Sequence, residues 1–283
     1  MTSYLRDQGD EVTGIDREVD IVDRDAVRAA VVAAAPDAIY HLAARAHVGE
    51  SWGNPEDVLT VNAVGTLQVL EAARACDTRP RVLLTSSAEV YGSVVPEQLP
   101  VTEETALAPV TPYAASKVAA EYLGVQAHLA YGLPVVVVRP FNHIGPGQSS
   151  SFVVAGLAAR IVEAMRDRTS SIAVGNLGAR RDLTDVRDIV RAYRSLVQSG
   201  TPGEVYNVCS GRDVAISEVA DRLLTLAGAE LELVPDPELM RPVDVPVVRG
   251  DPAKLHTATG WKPELDLDTT LADVLGQWRE QPN

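Results

Sequence analysis

The sequence predicts an α/β fold in which helices cover both faces of a parallel, doubly wound sheet. Continuous apolar runs are typical of strands that are buried on both faces, and here such runs alternate with helical segments. The predicted strands are residues 37–42, 81–85 and 134–139, and the predicted helices before and between them are residues 24–35, 56–75 and 112–131.

Local signals predict the other N-terminal elements. Residues 2–9 have a helical pattern, and residues 11–16 form a short stretch that ends at Asp16, which predicts a strand. The helix over 112–131 has the clearest start of all the elements. Thr111 is a favourable N-cap, and Pro112 suits the first helical position because proline has no N–H to leave unsatisfied there.

The pattern of the chain changes after Pro140. Residues 141–151 are rich in Gly, Pro and Ser, which predicts a loop, and shorter elements follow it. These elements are predicted helices at 152–167 and 186–198 and predicted strands at 172–174 and 204–208. The second half of the chain is therefore expected to be smaller and more irregular than the first.

The composition excludes several classes of function. The 283-residue chain has 25 Lys and Arg against 39 Asp and Glu, and this net charge of −14 argues against a binder of nucleic acid or of anionic membranes. Cys76 and Cys209 are far apart, and the five histidines form no HxxxH pair, so we expect no disulfide framework and no metal site. The apolar runs are too short to span a bilayer. These features fit a cytoplasmic protein.

The first motif with chemical content is a tyrosine and a lysine four residues apart, Tyr113 and Lys117, on the predicted helix over 112–131. Residues at this spacing share one helical face. An ammonium group close to a phenol favours the phenolate, so we expect Lys117 to lower the pKa of Tyr113 and to make it a proton donor or acceptor near neutral pH. The spacing alone is common by chance, and a surface pair would show it too.

A second motif makes the first more specific. Thr85, Ser86 and Ser87 stand at the end of a predicted apolar strand, about 25 residues before Tyr113. Hydroxyls at the carboxyl end of a parallel strand lie at the crevice where such sheets bind ligands. The two motifs together therefore predict an active site at this edge of the sheet.

With these motifs the chain resembles the extended short-chain dehydrogenase/reductase family, in its nucleotide-sugar-modifying branch. The finer similarity is to GDP-4-keto-6-deoxy-D-mannose reductases, which make GDP-D-rhamnose, and GDP-mannose 4,6-dehydratases are near neighbours. Further matching stretches are HLAA at 41–44, RPFNHIGPGQ at 139–148, VGNL at 174–177, RDLTDV at 181–186, VYNV at 205–208 and MRPVDVP at 240–246.

The resemblance implies a division of the chain into two parts. Residues 1–140, completed by about 182–210, would form a Rossmann-type dinucleotide-binding domain. Residues 141–181 and 211–283 would form a smaller C-terminal α/β part that binds the nucleotide sugar. The resemblance also implies a homodimer in which the helices near 56–75 and 112–131 pair with those of a second copy.

The same resemblance implies roles for individual residues. Tyr113 would protonate the sugar C4 oxygen during hydride transfer, Ser87 would hydrogen-bond that oxygen, and Lys117 would hold the cofactor ribose. The residues expected at the cofactor are Asp16, Arg17, Asp20, Ile21, Leu42, Ala43, Ala44, Thr85, Tyr113, Lys117, Arg139 and Ile144. The residues expected at the substrate are Ser87, Asn142, Asn176, Arg181 and Arg241.

The choice between NAD and NADP stays open at this point. A carboxylate at Asp16 would accept hydrogen bonds from the adenosine ribose and favour NAD. Arg17 follows directly and would suit the 2′-phosphate of NADP.

Glu89 leaves the reaction open as well. In related dehydratases a glutamate at this position removes the C5 proton, but related reductases also carry one. Ala88 stands where dehydratases commonly have Asp or Ser, which favours reduction of a GDP-4-keto-6-deoxy-hexose by NAD(P)H. The alternatives are a 4,6-dehydratase, an epimerase, and a non-catalytic nucleotide-sugar-binding protein.

The family begins with a strand and a Gly-rich turn that holds the cofactor pyrophosphate, and the present sequence has no such motif. We expect about 15 to 20 residues to be absent, judged from the usual length of such a segment. A late start codon, a fragment or a genuine loss would each account for this, and the first is favoured because the downstream motifs read as intact.

Overall fold

The computed structural model describes residues 1–240 and 243–281. In the first half, the elements are α1 (Thr2–Asp7), α2 (Arg24–Ala34), β1 (Ala38–His41), α3 (Pro55–Leu59), α4 (Gly65–Arg74), β2 (Arg81–Thr85), α5 (Pro112–Tyr131) and β3 (Val135–Pro140). In the second half, they are β4 (Asn142–Ile144), α6 (Val153–Asp167), β5 (Ser171–Val174), β6 (Arg180–Asp185), α7 (Val186–Ser199), β7 (Val205–Val208), β8 (Asp213–Ala215), α8 (Ile216–Ala227), β9 (Glu232–Pro235), β10 (Val247–Val248), α9 (Ala253–Thr259) and α10 (Leu267–Glu280).

The main sheet has four parallel strands in the order β1-β2-β3-β7. Thr85 at the end of β2 lies opposite Val138 of β3, and Arg139 lies opposite Asn207 of β7. The carboxyl ends of the strands therefore meet at one edge, where the two predicted motifs begin. The prediction of a Rossmann-type α/β fold is confirmed.

The predicted strand over 11–16 is wrong, because this segment has no regular secondary structure. A strand is stabilised by hydrogen bonds to a neighbouring strand. Within the described residues β1 pairs with β2 alone, and its other edge does not pair with residues 11–16. Pairing, rather than local sequence, decided this element.

The C-terminal half adds smaller sheets beside the main one. One has the parallel order β10-β6-β4, with β8 antiparallel to β6, and another pairs β5 with β9. Asn142 of β4 lies opposite Leu183 of β6, so the residues that follow the main sheet are held next to the RDLTDV segment.

Helix α5 has the predicted ends. The Thr111 side chain accepts a hydrogen bond from the Ala114 N–H at 3.0 Å, and Gly132 ends the helix with φ of 66°. The helix packs closely on the sheet at Gly124, where a Cβ atom would lie 2.6 Å from Leu84 Cδ2. This close approach places the face of Tyr113 and Lys117 against the end of β2.

A π-helical turn, Thr60–Val64, joins α3 to α4 within the predicted helix over 56–75. Such turns are rare and often occur at functional sites. Asn62 lies in this turn and is 1% exposed. The turn thus places a buried amide where a regular helix would have continued.

Apolar side chains on both faces of the main sheet form its core, with Val136 and Val138 on one side and Val135 and Val137 on the other. A separate core in the C-terminal half groups residues of α6, α8 and α10. Among the described residues, no helix is both long enough and apolar enough to cross a membrane.

Candidate active site

Tyr113 and Ser87 meet at the carboxyl end of the main sheet. Both are 8% exposed, and their hydroxyl groups share a hydrogen bond. Ser87 also caps the short helical turn Ala88–Tyr91 by accepting a hydrogen bond from the Glu89 N–H at 3.2 Å. Two hydroxyls thus converge on one point, as the hydrogen bonding of a single substrate oxygen requires.

The pKa of Tyr113 is raised to about 12, mainly by burial, with a further increase from the negative charge of Glu89. The hydrogen bond to Ser87 acts in the opposite direction. The expectation that Lys117 lowers this pKa is wrong, because the cost of burying a phenolate exceeds any attraction from the ammonium. Tyr113 is therefore a neutral phenol at physiological pH and carries a proton that it can donate.

Lys117 lies one helical turn after Tyr113, with its Nζ 6.0 Å from the centre of the tyrosine ring. The ammonium is buried and donates to the Thr85 carbonyl at 2.9 Å, its one hydrogen bond to the described residues. Burial lowers the pKa of Lys117 to about 8. An ammonium has three donors, so this buried group fits a ligand with paired hydroxyls, such as the ribose of a nicotinamide cofactor.

Glu89 is half-buried and lies close enough to Tyr113 for its charge to raise the tyrosine pKa. The geometry therefore brings together all four residues predicted to be catalytic, Ser87, Glu89, Tyr113 and Lys117. A carboxylate beside a protonated phenol is compatible with reduction and with abstraction of a proton.

A chain of buried hydrogen bonds supports this group from behind. The Asn62 amide donates to Ser116 Oγ at 2.9 Å and accepts from the Arg45 N–H at 2.7 Å. Ser116 Oγ in turn donates to the Tyr113 carbonyl at 2.7 Å. Sequence reasoning assigned Asn62 no function, because the π-helical turn that buries it becomes visible only in three dimensions.

The predicted cofactor residues between positions 16 and 44 lie mostly at the protein surface. Asp16 and Arg17 are exposed and belong to an irregular segment, and Asp20 accepts a hydrogen bond from the Val22 N–H at 3.0 Å. Ile21 packs partly buried beside α4. Leu42 and Ala43 are exposed directly after β1, and Ala44 is half-buried. Of these residues, 42–44 directly follow β1, and the contact of all of them with a cofactor remains a prediction.

The side chains of Arg139 and Ile144, two residues predicted at the cofactor, are buried in the fold. Arg139 is 4% exposed, and its guanidinium forms a buried ion pair with Glu121. The side chain of Ile144 lies in the C-terminal apolar core. Any contact of Arg139 with a cofactor therefore falls to its main chain, since its side chain is held elsewhere.

Asp244 connects two of the predicted substrate residues, Asn176 and Arg181. Asn176 Nδ2 donates to Asp244 Oδ2 at 2.6 Å, and Arg181 Nη2 donates to Asp244 Oδ1 at 2.5 Å. Asn142 is exposed on β4, and Arg241 lies outside the described residues. Sequence reasoning missed the role of Asp244, although it stands inside the MRPVDVP motif that was compared.

The family model for GDP-mannose 4,6-dehydratase matches residues 7–274, nearly the whole chain. Among curated proteins, a GDP-6-deoxy-D-mannose reductase from Pseudomonas aeruginosa is 42% identical over 247 residues, which cover 87% of this chain and 81% of that protein. A GDP-mannose 4,6-dehydratase from Yersinia enterocolitica is 28% identical and covers 85% of this chain and 72% of its own length.

Solved structures show the same relationship. The structure of RMD from Pseudomonas aeruginosa complexed with NADPH superimposes with a TM-score of 0.90 at 38% identity, covering 98% of this chain and 93% of that one. The UDP-glucose 4-epimerase of Thermus thermophilus complexed with NAD has a TM-score of 0.86 at 28% identity, covering 99% and 94%. The similarity therefore extends over both halves of the chain.

Proposed function

Because this chain belongs to the GDP-mannose 4,6-dehydratase family, we propose that it is an NAD(P)H-dependent oxidoreductase that reduces the C4 ketone of a GDP-4-keto-6-deoxy-hexose. The 42% identity to a GDP-6-deoxy-D-mannose reductase favours reduction over dehydration, for which the relative from Yersinia enterocolitica is 28% identical. The product would be a GDP-D-rhamnose-type sugar.

The structural observation that supports chemistry at a sugar C4 oxygen is the convergence of the Tyr113 and Ser87 hydroxyls. A reductase needs a neutral acid at rest, and burial keeps this phenol protonated far above neutral pH. The first step of a dehydratase, oxidation at C4, would instead need the same residue as a base.

Each residue of the site would have its own role in the reaction. A reduced nicotinamide, when bound, would supply the hydride for C4. Tyr113 Oη donates its proton to the C4 oxygen, so that the ketone becomes a secondary alcohol. Ser87 hydrogen-bonds the same oxygen and shares the charge that develops on it. The buried ammonium of Lys117, one helical turn after Tyr113, would hold the cofactor ribose.

The nucleotide part of the substrate would bind on the C-terminal side of the crevice. Arg181 and Asn176 are already aligned on Asp244. Arginine suits a diphosphate because its planar fork pairs with two oxygens at once. Arg181 is 7% exposed, and its Nη1 donates to the Val245 carbonyl at 2.8 Å, so a diphosphate would compete with contacts inside the fold. The division into a cofactor part and a substrate part, and the choice between NAD and NADP at Asp16 and Arg17, remain proposals.

A second copy of the chain is the proposed partner. Apolar side chains are exposed along the helices near the site: Leu59 at 49%, Val64 at 38%, Tyr122 at 62% and Leu129 at 78%. Leu59 and Val64 belong to α3 and the π-helical turn, and Tyr122 and Leu129 belong to α5, so these are the helices expected to pair in a homodimer. We also propose a cytoplasmic location, which suits the two unpaired cysteines.

The test is an assay of reduced-nicotinamide oxidation with GDP-4-keto-6-deoxy-D-mannose, using NADPH and NADH in turn. The chain is assayed beside a form that carries a Gly-rich strand–turn–helix segment ahead of residue 1, since the sequence has no such turn. We expect oxidation that Tyr113→Phe reduces by a hundredfold or more, roughly the contribution of a general acid.

Tyr131→Phe is the matched control, because Tyr131 lies on the same helix but at its far end, and we expect it to leave the rate unchanged. Formation of a 4-keto sugar from GDP-mannose without added cofactor, with no oxidation of NAD(P)H, would instead establish a dehydratase, for which Glu89 is the candidate base. Binding of the GDP-sugar without turnover in either form would establish a non-catalytic protein.

A further inference from the structure

A buried polar cluster that the reaction does not use lies directly behind the site. It consists of Arg139, Glu121 and Tyr91, and we call it the Arg139 clamp. The side chains of Arg139 and Glu121 are 5% and 4% exposed, and Tyr91 is 2% exposed. All the donors of such a cluster must find partners, because an unpaired buried charge is very costly.

One arm of the clamp holds helix α5. Arg139 Nε donates to Glu121 Oε2 at 3.1 Å, and Arg139 Nη2 donates to Glu121 Oε1. Glu121 follows Lys117 by one helical turn and Tyr113 by two, so the three residues share one face of the helix. The paired bonds therefore fix the face that carries the proposed acid against the end of β3.

The other arm holds the turn that carries Ser87 and Glu89. Arg139 Nη1 donates to the Tyr91 hydroxyl at 2.9 Å, and that hydroxyl donates to Asn207 Oδ1 at 2.6 Å. Tyr91 is the last residue of the helical turn Ala88–Tyr91, which Ser87 caps. The same guanidinium thus joins the two separate segments from which the site is built.

We infer that the Arg139 clamp is a positioning device that sets the distance between the Ser87 turn and the Tyr113 face of α5. Buried ion pairs often add little net stability, because desolvation offsets their attraction. The rigid fork of arginine gives direction instead, since it pairs in a fixed plane with the Glu121 carboxylate and the Tyr91 hydroxyl, and its Nη1 also donates to the Glu103 carbonyl at 3.2 Å. Arg139, which sequence reasoning placed at the cofactor, would act through Glu121 and Tyr91. The inference rests on the proposed function for its substrate.

Tyr91→Phe is the most direct test. It removes one hydroxyl and keeps the ring, which packs 6.3 Å from the ring of Phe141. We expect kcat to fall about tenfold, since small displacements of catalytic groups have effects of this order, while KM stays within about twofold. Proton donation would become slower, so the solvent deuterium isotope effect on kcat should increase.

Tyr206→Phe is the matched control, because Tyr206 is also 2% exposed and its hydroxyl accepts a hydrogen bond from the Thr201 N–H at 3.0 Å. Thr201 precedes β7, so this hydrogen bond lies away from the Ser87 turn. Both variants should lose a similar amount of thermal stability. Only Tyr91→Phe should change kcat and the isotope effect.

Arg139→Lys breaks the same arm from the other side, because an ammonium can pair with Glu121 but lacks the fork that also reaches Tyr91. The double variant should be no slower than the slower single variant, since both remove one interaction. Equal kcat values for wild type and Tyr91→Phe, or an equal loss in Tyr206→Phe, would overturn the inference. An inactive wild type would instead count against the proposed function.

Discussion

Replacing Lys117 by methionine should make the protein more stable and less active at the same time. The substitution keeps an unbranched side chain that is one atom shorter, and it removes the charge of a residue that is 5% exposed beside Tyr113. A buried charge destabilises the folded state, and such a residue is expected where function requires it. Stability and turnover should therefore change in opposite directions.

The magnitude follows from the pKa of the buried amine. Burial lowers the pKa of Lys117 from 10.5 to about 8. Each unit corresponds to about 1.4 kcal/mol, so keeping the ammonium charged at neutral pH costs roughly 3 kcal/mol. The hydrogen bond from Lys117 to the Thr85 carbonyl offsets about 1 kcal/mol of this cost. We expect Lys117→Met to raise the free energy of unfolding by about 2 kcal/mol, and to reduce kcat/KM roughly a hundredfold or more.

The gain in stability should depend on pH in a defined direction. Below about pH 8 the lysine is charged in the folded and unfolded chains, so the full cost is present. Between about 8 and 10.5 the unfolded chain binds more protons than the folded chain, and wild-type stability due to this group rises with pH. The advantage of Lys117→Met should therefore shrink through this window and reverse before its upper end, because the titration changes wild-type stability by roughly 3 kcal/mol and the gain at neutral pH is only about 2 kcal/mol.

Urea unfolding at neutral pH and at pH values up to about 10 measures both effects, with equal m-values as the check that the unfolded states are comparable. Lys254→Met is the control, because Lys254 pairs with Glu204 at 2.7 Å on the surface and should change stability by less than about 1 kcal/mol. A Lys117→Met variant that unfolds at lower urea than wild type at neutral pH would refute the reasoning.

Two further predictions concern the frame of the site and the partner. Gly92→Ala should lower the free energy of unfolding by about 3 kcal/mol, as measured by thermal or urea unfolding. The reason is that φ at Gly92 is +64° and a Cβ would lie 1.9 Å from the Ala108 carbonyl oxygen. Gly276→Ala is the control, because no atom lies near its added carbon, and it should not lower the free energy of unfolding. Leu129→Glu should weaken self-association at least tenfold in sedimentation experiments, which corresponds to a loss of binding free energy of about 1.4 kcal/mol. Leu226→Glu on α8 is the control and should leave self-association unchanged. A monomeric wild type would contradict the proposed homodimer.

Much of the architecture could be predicted because its signals are local. The cap at Thr111, the proline at position 112 and the continuous apolar strands each depend on neighbouring residues, and α5 and β3 lie where they were expected. The convergence of Ser87 and Tyr113 was also predictable, since the carboxyl ends of parallel strands meet at one edge. Family resemblance then assigned the chemistry.

Tertiary structure alone decided the partners of the charged groups. Residues 11–16 form no strand because pairing depends on another segment, and Arg139 turns toward Glu121 because that carboxylate is buried beside it. The pKa of Tyr113 rises because burial depends on every neighbour packed around the ring. Sequence spacing determines which groups share a helical face, but desolvation and charge pairing depend on distances between segments far apart in the chain, and only the folded protein defines these.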